Sequence, residues 1–344
     1  MSTIELVNDQ CFLGAHGPWL VAEIGGNHEG DFDAALRLAD QALEAGADAV
    51  KFQVYYGDTL VSSVASPDRN AHFKRFELSP RQHLDLAERV LNAGRAYVAS
   101  VWDLAAFEWI APVLTACKIG SGDLTAPPFL RAAAKTGKPL ILSTGLSDMV
   151  EVEAAVQMIR TANSQYNHRS QLALLQCTTM YPIADADANL AVMRAFATLD
   201  VTVGYSDHTL GTKALEVAAA MGAEVLEFHF TDQKQDRTFR DHQLSLDGKD
   251  LQNLIHALEE IRTLQGTADK HPLPIEFTND HPHAFRRAVY PARDVLEGEV
   301  LDADNLCVLR PNQGIDARDY DRVVGRLARR RLQRHEPLDW QDIK

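Results

Sequence analysis

The chain is poor in cysteine. Its four, Cys11, Cys117, Cys177 and Cys307, are scattered over 344 residues without a C-x-x-C spacing. That speaks against a disulfide framework and fits reduced thiols in a cytoplasm. No apolar run reaches about 18 residues, so a membrane-spanning helix is not expected. The opening M-S-T-I-E-L-V-N-D-Q lacks a basic stretch followed by an apolar one, so no signal peptide is expected either. Positive charge is also short: 34 Lys+Arg against 48 Asp+Glu leave a net −14, which argues against a nucleic-acid partner. What remains is 46% apolar and 24% charged, the composition of a soluble enzyme large enough for two domains.

Residues 1–265 read as an eightfold strand–helix alternation. The strands are expected at 20–26, 48–55, 96–102, 116–121, 139–145, 172–178, 202–208 and 223–231. Helical runs lie between several of them, as at 33–45, where Ala35, Leu38, Ala39 and Ala42 recur at helical spacing. Several strands are continuously apolar, as strands buried on both faces are. Eight such units favour a closed (β/α)8 TIM barrel, an α/β fold, over an open sheet. Gly266, Pro272, Pro274 and Pro282 mark 266–283 as a linker. The remainder, 284–344, is short-stranded and rich in arginine. It holds 12 Lys+Arg and 11 Asp+Glu, so the acidity of the chain lies in the barrel.

In such a barrel the side chains at the C-terminal strand ends converge on one mouth. His208 and His229 end the seventh and eighth strands, and two imidazoles there suggest a divalent-metal site with open positions. The other ends present Glu23, Asn27 and His28; Lys51 and Gln53; Lys118 and Ser121; Ser143 and Thr144; Thr178, Thr179 and Tyr181; Ser206 and Asp207; and Glu227. A list of this kind holds false positives, because alternate residues point outward. Buried lysines need anions. Lys51 and Lys118, with Ser121, Ser143 and Ser206, suit a small phosphorylated carboxylate; the plainer reading is an internal salt bridge to Glu23 or Glu227. Glu23 fits a general base or a group orienting water. Cys177 is read as a small buried hydrophobe rather than a nucleophile.

The segments A-E-I-G-G-N-H-E-G (22–30), A-G-A-D-A-V-K-F-Q (45–53), K-I-G-S-G-D (118–123), Q-C-T-T-M-Y-P (176–182), V-G-Y-S-D-H-T-L-G (203–211) and E-F-H-F-T (227–231) together resemble the sialic acid synthase family, the nonulosonate synthases. The tail, with L-R-P-N-Q-G-I and V-V-G-R-L-A-R-R-R-L, resembles the family's antifreeze-like (SAF) domain. The resemblance implies a TIM barrel followed by that domain and a condensation of phosphoenolpyruvate with an N-acyl hexosamine. It implies a divalent metal on His208 and His229, usually Mn2+, with Mg2+ or Co2+ as alternatives. Phosphoenolpyruvate would lie against Lys51, Lys118, Ser121, Ser143 and Ser206, with Gln53, Thr179 and Tyr181 also in the substrate site and Glu23 handling protons or water. Asp241 would sit in the sugar region, and Arg310 would reach the sugar site of the other subunit in a domain-swapped homodimer.

The chain departs from the family pattern at Val101, Thr179 and Phe228, and at T-F-R-D (238–241), where Pro-Gly-Pro-Asp is common. Two other readings stay open: a barrel that binds a sugar or partner without turnover, and an aldol-type synthase acting on another sugar.

Overall fold

The structure, a computed structural model, describes residues 12, 14–237 and 239–344; Cys11 and Thr238 lie outside the described residues. Eight parallel strands close into a barrel in sequence order. They are β1 (Trp19–Glu23), β2 (Ala49–Val54), β3 (Ala96–Val101), β4 (Ala116–Ile119), β5 (Leu140–Ser143), β6 (Leu172–Cys177), β7 (Thr202–Asp207) and β8 (Val225–His229). Each ends before its expected run does, and all lie within those runs except β1, which begins one residue earlier, at Trp19. The extra residues expected at the C-terminal ends belong to the turns that form the mouth.

Helices pack outside the strands. Phe32–Ala45 is started by Asp31, whose carboxylate accepts from the Asp33 and Ala34 amides, and stopped by Gly46 in the left-handed region. The Gly46 φ of 107° is what requires glycine there; a Cβ would also press to 2.8 Å on Ile255 Cδ1, the movable end of that side chain. Pro80–Asn92, Met149–Ala162 and Gly248–Gln265 each begin with a reciprocal capping box. The alternation is uneven. The connection from β6 to β7 holds only a one-turn α-helix, Met193–Phe196, between 3-10 turns, and an additional helix, Pro67–Arg75, lies between β2 and Pro80.

The chain divides into two compact units, one ending at Gly266 and the other spanning Thr267–Lys344. Residues 267–283, expected as linker, fall in the second unit and carry a 3-10 segment, Pro274–Asp280. The antiparallel pair β9 (Ala288–Pro291) and β10 (Leu306–Leu309) organises this unit. Its core is Val289, Val295, Leu301, Leu306, Ile315, Val323, Ala328, Leu332, Leu338 and Ile343. Among the described residues no helix is long and apolar enough to cross a membrane.

Candidate active site

Residues two apart on a strand share a face. The lower barrel interior is apolar: Val21, Ala49, Val98, Ala116, Ile141, Leu175 and Val225 pack together with Phe12 and Trp19. On β7 the inward position is Gly204, where a Cβ would lie 2.4 Å from the Val225 carbonyl oxygen. One step further along the same faces the chemistry changes. Glu23, Lys51, Ser100, Lys118, Ser143, Cys177, Ser206 and Glu227 follow, all buried, at the base of a cavity of about 740 Å³ at the strand C-terminal ends.

These groups form a charge-balanced network. Lys51 Nζ is 2.9 Å from Glu23 Oε2 and 3.8 Å from Glu227 Oε2. Lys118 Nζ donates to Ser143 Oγ at 2.7 Å and lies 3.6 Å from Glu227 Oε1. Ser206 Oγ donates to Glu227 Oε1 at 2.9 Å, and Gln53 Nε2 to Glu23 Oε1 at 2.7 Å. Burial disfavours both lysine charges. At Lys51 the nearby Glu227 and Glu23 outweigh it and raise the pKa; at Lys118 burial, with Lys51 as a neighbouring cation, prevails over Glu227 and lowers it. Burial also opposes the Glu227 charge, but Lys118, Lys51 and the Ser206 hydroxyl hold its carboxyl down to about 2. The salt-bridge reading of the lysines is thus present in the molecule. It leaves Lys118 the less fully paired of the two.

Above this layer sit the histidines, with ring centroids 5.4 Å apart. His208 Nδ1 donates to the Thr178 carbonyl at 2.8 Å. A carbonyl can only accept, so this contact fixes the tautomer and leaves Nε2 with a free lone pair. Burial, then the neighbouring His229, holds His208 down to about 3, so the ring is neutral. His229 Nδ1 is buried without a hydrogen-bond partner among the described residues, with Asp241 Oδ2 at 3.8 Å. Two imidazoles lining one polar cavity fit a divalent ion that takes its remaining ligands from substrate or water. Among the described residues no group of three or more His, Cys, Asp and Glu is arranged to hold a metal.

The cavity wall also holds Gln53, Ser121, Thr179, Tyr181 and Asp241. Thr179 Oγ1 is buried without a partner, and a Cβ on Gly145 would meet it at 2.1 Å. The Tyr181 ring lies 4.0 Å from that of His208. Cys177 lines the cavity, but burial pushes its thiol up, away from the thiolate a nucleophile needs. Arg310 is exposed in the second unit, its guanidinium 5.5 Å from the Phe285 ring.

Other strand-end residues point elsewhere. Asn27 binds the Phe230 carbonyl, Thr144 the Leu175 carbonyl and Thr178 the Asp187 carbonyl, while His28 accepts from the Gly30 amide and Asp207 from Tyr205. Val101 and Phe228, two of the departures from the family pattern, pack in the core between strands and helices, not on the cavity wall. Sequence reasoning missed Ser100 and Trp102, which face the cavity on β3 and just beyond it, and Arg69, His72, Phe76, Phe239 and Arg240 at the mouth. Ser100 was legible as the residue two beyond inward Val98. The mouth residues had no such signal.

Residues 38–270 match the model of the NeuB family, and residues 286–344 match the SAF domain. The chain is 34% identical to an uncharacterised protein of Methanocaldococcus jannaschii, over 96% of each chain. It is 33% identical to the N,N'-diacetyllegionaminic acid synthase of Legionella pneumophila, covering 95% of this chain and 94% of that one. Among solved structures it resembles the N-acetylneuraminic acid (sialic acid) synthetase of Leptospira borgpetersenii, with 29% identity and a TM-score of 0.71 over 80% of this chain and 93% of that one.

Proposed function

The chain belongs to the NeuB family and is a sialic acid synthase-like, carbon–carbon bond-forming enzyme with a SAF domain; from that premise we propose that it condenses phosphoenolpyruvate with an open-chain N-acyl hexosamine. The products are a nine-carbon 2-keto sugar acid and phosphate. The observation that carries this reading is the buried Lys51–Lys118–Glu23–Glu227 layer lying under the His208–His229 pair in one cavity.

Lys118 and Lys51, with the Ser121, Ser143 and Ser206 hydroxyls, bind the phosphate and carboxylate of phosphoenolpyruvate in this account. Glu227 sets the positions of both lysines. Gln53, Thr179, Tyr181 and Asp241 orient the acceptor, whose carbonyl carbon faces carbon 3 of phosphoenolpyruvate. A new bond forms between those carbons, water adds at carbon 2, and the carbon 2–oxygen bond to phosphate breaks. Glu23, fixed by Gln53 and Lys51, is the group that orients that water and takes its proton. A divalent ion held by His208 and His229, Mn2+ by preference over Mg2+ or Co2+, would supply Lewis-acid polarisation of the aldehyde.

The second unit acts in trans in this account. Arg310 carries an always-charged fork suited to a sugar's polar groups, and Leu273, Ile275 and Phe277 of the same unit leave apolar surface exposed. A cytoplasmic two-fold dimer exchanging these units would cover that surface and bring Arg310 to the partner's cavity. The test is phosphate release from phosphoenolpyruvate and Mn2+ across a panel of N-acyl and di-N-acyl hexosamines. Release that requires one of the sugars supports the synthase. Sugar binding without release supports a non-catalytic barrel.

A further inference from the structure

Asp241 faces the cavity from a loop that leaves the end of β8 at Thr231 and returns beside it at Leu246, whose amide donates to the His229 carbonyl at 2.8 Å. The three residues before Asp241 are Thr-Phe-Arg where Pro-Gly-Pro is common in the family, so no proline ring fixes the backbone there. Side-chain contacts must therefore hold the Asp241 carboxylate where it stands, 3.8 Å from His229 Nδ1. Two of them are local. Ser245 Oγ donates to the Asp241 carbonyl at 2.6 Å and accepts from Asn27 Nδ2 at 2.9 Å. Arg237 grips both Asp232 oxygens at 2.9 Å.

The third contact crosses between walls of the barrel. His242 follows Asp241 in the 3-10 turn Arg240–Gln243 and is fully buried. Its Nδ1 is 2.6 Å from Thr231 Oγ1, just past β8, and its Nε2 is 3.2 Å from Glu29 Oε1, in the turn after β1. The Glu29 carboxylate can only accept, so Nε2 carries a proton. Burial holds the ring below its usual pKa against the pull of Glu29, so the ring is neutral and Nδ1 is left as an acceptor. The Thr231 hydroxyl gives its one proton to the nearer of its two acceptors, Nδ1 rather than the Gln233 carbonyl at 3.0 Å. Glu29 has a φ of 50°, a region that residues other than glycine enter at a cost and keep where the surroundings enforce it. That conformation turns a partly exposed carboxylate back onto a buried imidazole.

We infer that His242 is a positioning residue for the acceptor sugar: by bridging Thr231 and Glu29 it fixes the Arg240–Gln243 turn, and so holds Asp241 beside His229 and Arg240 over the Tyr181 ring, 4.2 Å from its centroid. The inference rests on the condensation proposed above for the role of Asp241.

The test uses the full-length protein with phosphoenolpyruvate, Mn2+ and the same panel of N-acyl and di-N-acyl hexosamines. His242→Leu is expected to raise the KM for the sugar about tenfold or more, the effect of losing one charge-assisted contact, and to leave the KM for phosphoenolpyruvate unchanged. Glu29→Ala cuts the far end of the bridge from a partly exposed site and should give the same split by itself, even where His242→Leu fails to fold. The double variant should lose little more than His242→Leu, because both changes break one bridge. His242→Gln should recover part of the loss, since an amide both donates and accepts. Equal rises in the two KM values, or losses that add, overturn the inference and leave the condensation intact. If no sugar turns over, the condensation reading fails. Amide hydrogen exchange then decides the bridge: faster exchange over 239–246 in Glu29→Ala, with the barrel strands unchanged, upholds it, and unchanged exchange there removes it.

Discussion

At the scale of single residues the account rests on groups that are buried, polar and incompletely paired. His208 carries little core packing, since its ring faces the cavity and Tyr181. His208→Ala is therefore expected to keep a wild-type circular dichroism spectrum while losing Mn2+ binding and metal-dependent turnover; full activity in that variant in the presence of a chelator would remove the histidine pair from the mechanism. Lys118 is the less fully paired lysine, so it has more to offer an incoming anion. Lys118→Met should raise the apparent KM for phosphoenolpyruvate about tenfold to a hundredfold, the range of one charge-assisted contact, with a much smaller change for the sugar. An unchanged KM for phosphoenolpyruvate would show that the network is structural alone. Glu227→Gln distinguishes the same cases from the other side, because it leaves two buried ammonium groups with one carboxylate between them.

At the scale of elements, β7 and β8 show how tightly the barrel wall is made. Gly204 has no room for a methyl against the Val225 carbonyl and Leu175. Gly204→Ala is expected to cost about 1–3 kcal/mol in denaturant unfolding, as overpacking of a core does. A change within error would mean that the two strands shift apart freely. Two buried imidazoles, His83 on helix Pro80–Asn92 and His28 in the turn after β1, give the barrel a pH dependence of its own. Burial holds His83 down to about 3 and, against the attraction of Asp31, His28 down to about 4. Both are neutral in the fold and take up protons on unfolding near the ordinary imidazole value of 6.5. Below that value the unfolded chain binds more protons, so stability is expected to fall as pH drops towards 4. Urea midpoints measured across this window should decline, and His83→Gln should flatten the decline. Much of this level was legible in the sequence. The apolar runs located all eight strands, and Gly46 marked the end of its helix. Inward and outward faces were not legible from strand ends alone, which is why Thr144 and Asp207 looked like site residues. They become legible once Val98, Ile141 and Val225 are recognised as the interior, because the next residue on each face is then a cavity residue. Pro67–Arg75 gave no such signal, since its aromatic face lines a cavity instead of joining the core.

At the scale of the whole molecule, the proposal requires two units to meet across a dimer. Mixing Arg310→Ala with His208→Ala should restore part of the activity that each lacks, through hybrid dimers with one intact site. A protein that stays monomeric at micromolar concentration with full activity would refute the exchange. Every level converges on one chemical claim: the barrel joins carbon 3 of phosphoenolpyruvate to a sugar aldehyde. Carbon NMR with phosphoenolpyruvate labelled at carbon 3 tests it most directly, in the presence of Mn2+ and an acceptor sugar. The account predicts that the vinyl signal disappears into a methylene coupled to the former aldehyde carbon, with one phosphate released for each. A label that stays in phosphoenolpyruvate with every acceptor, or emerges as the methyl group of pyruvate, would contradict it.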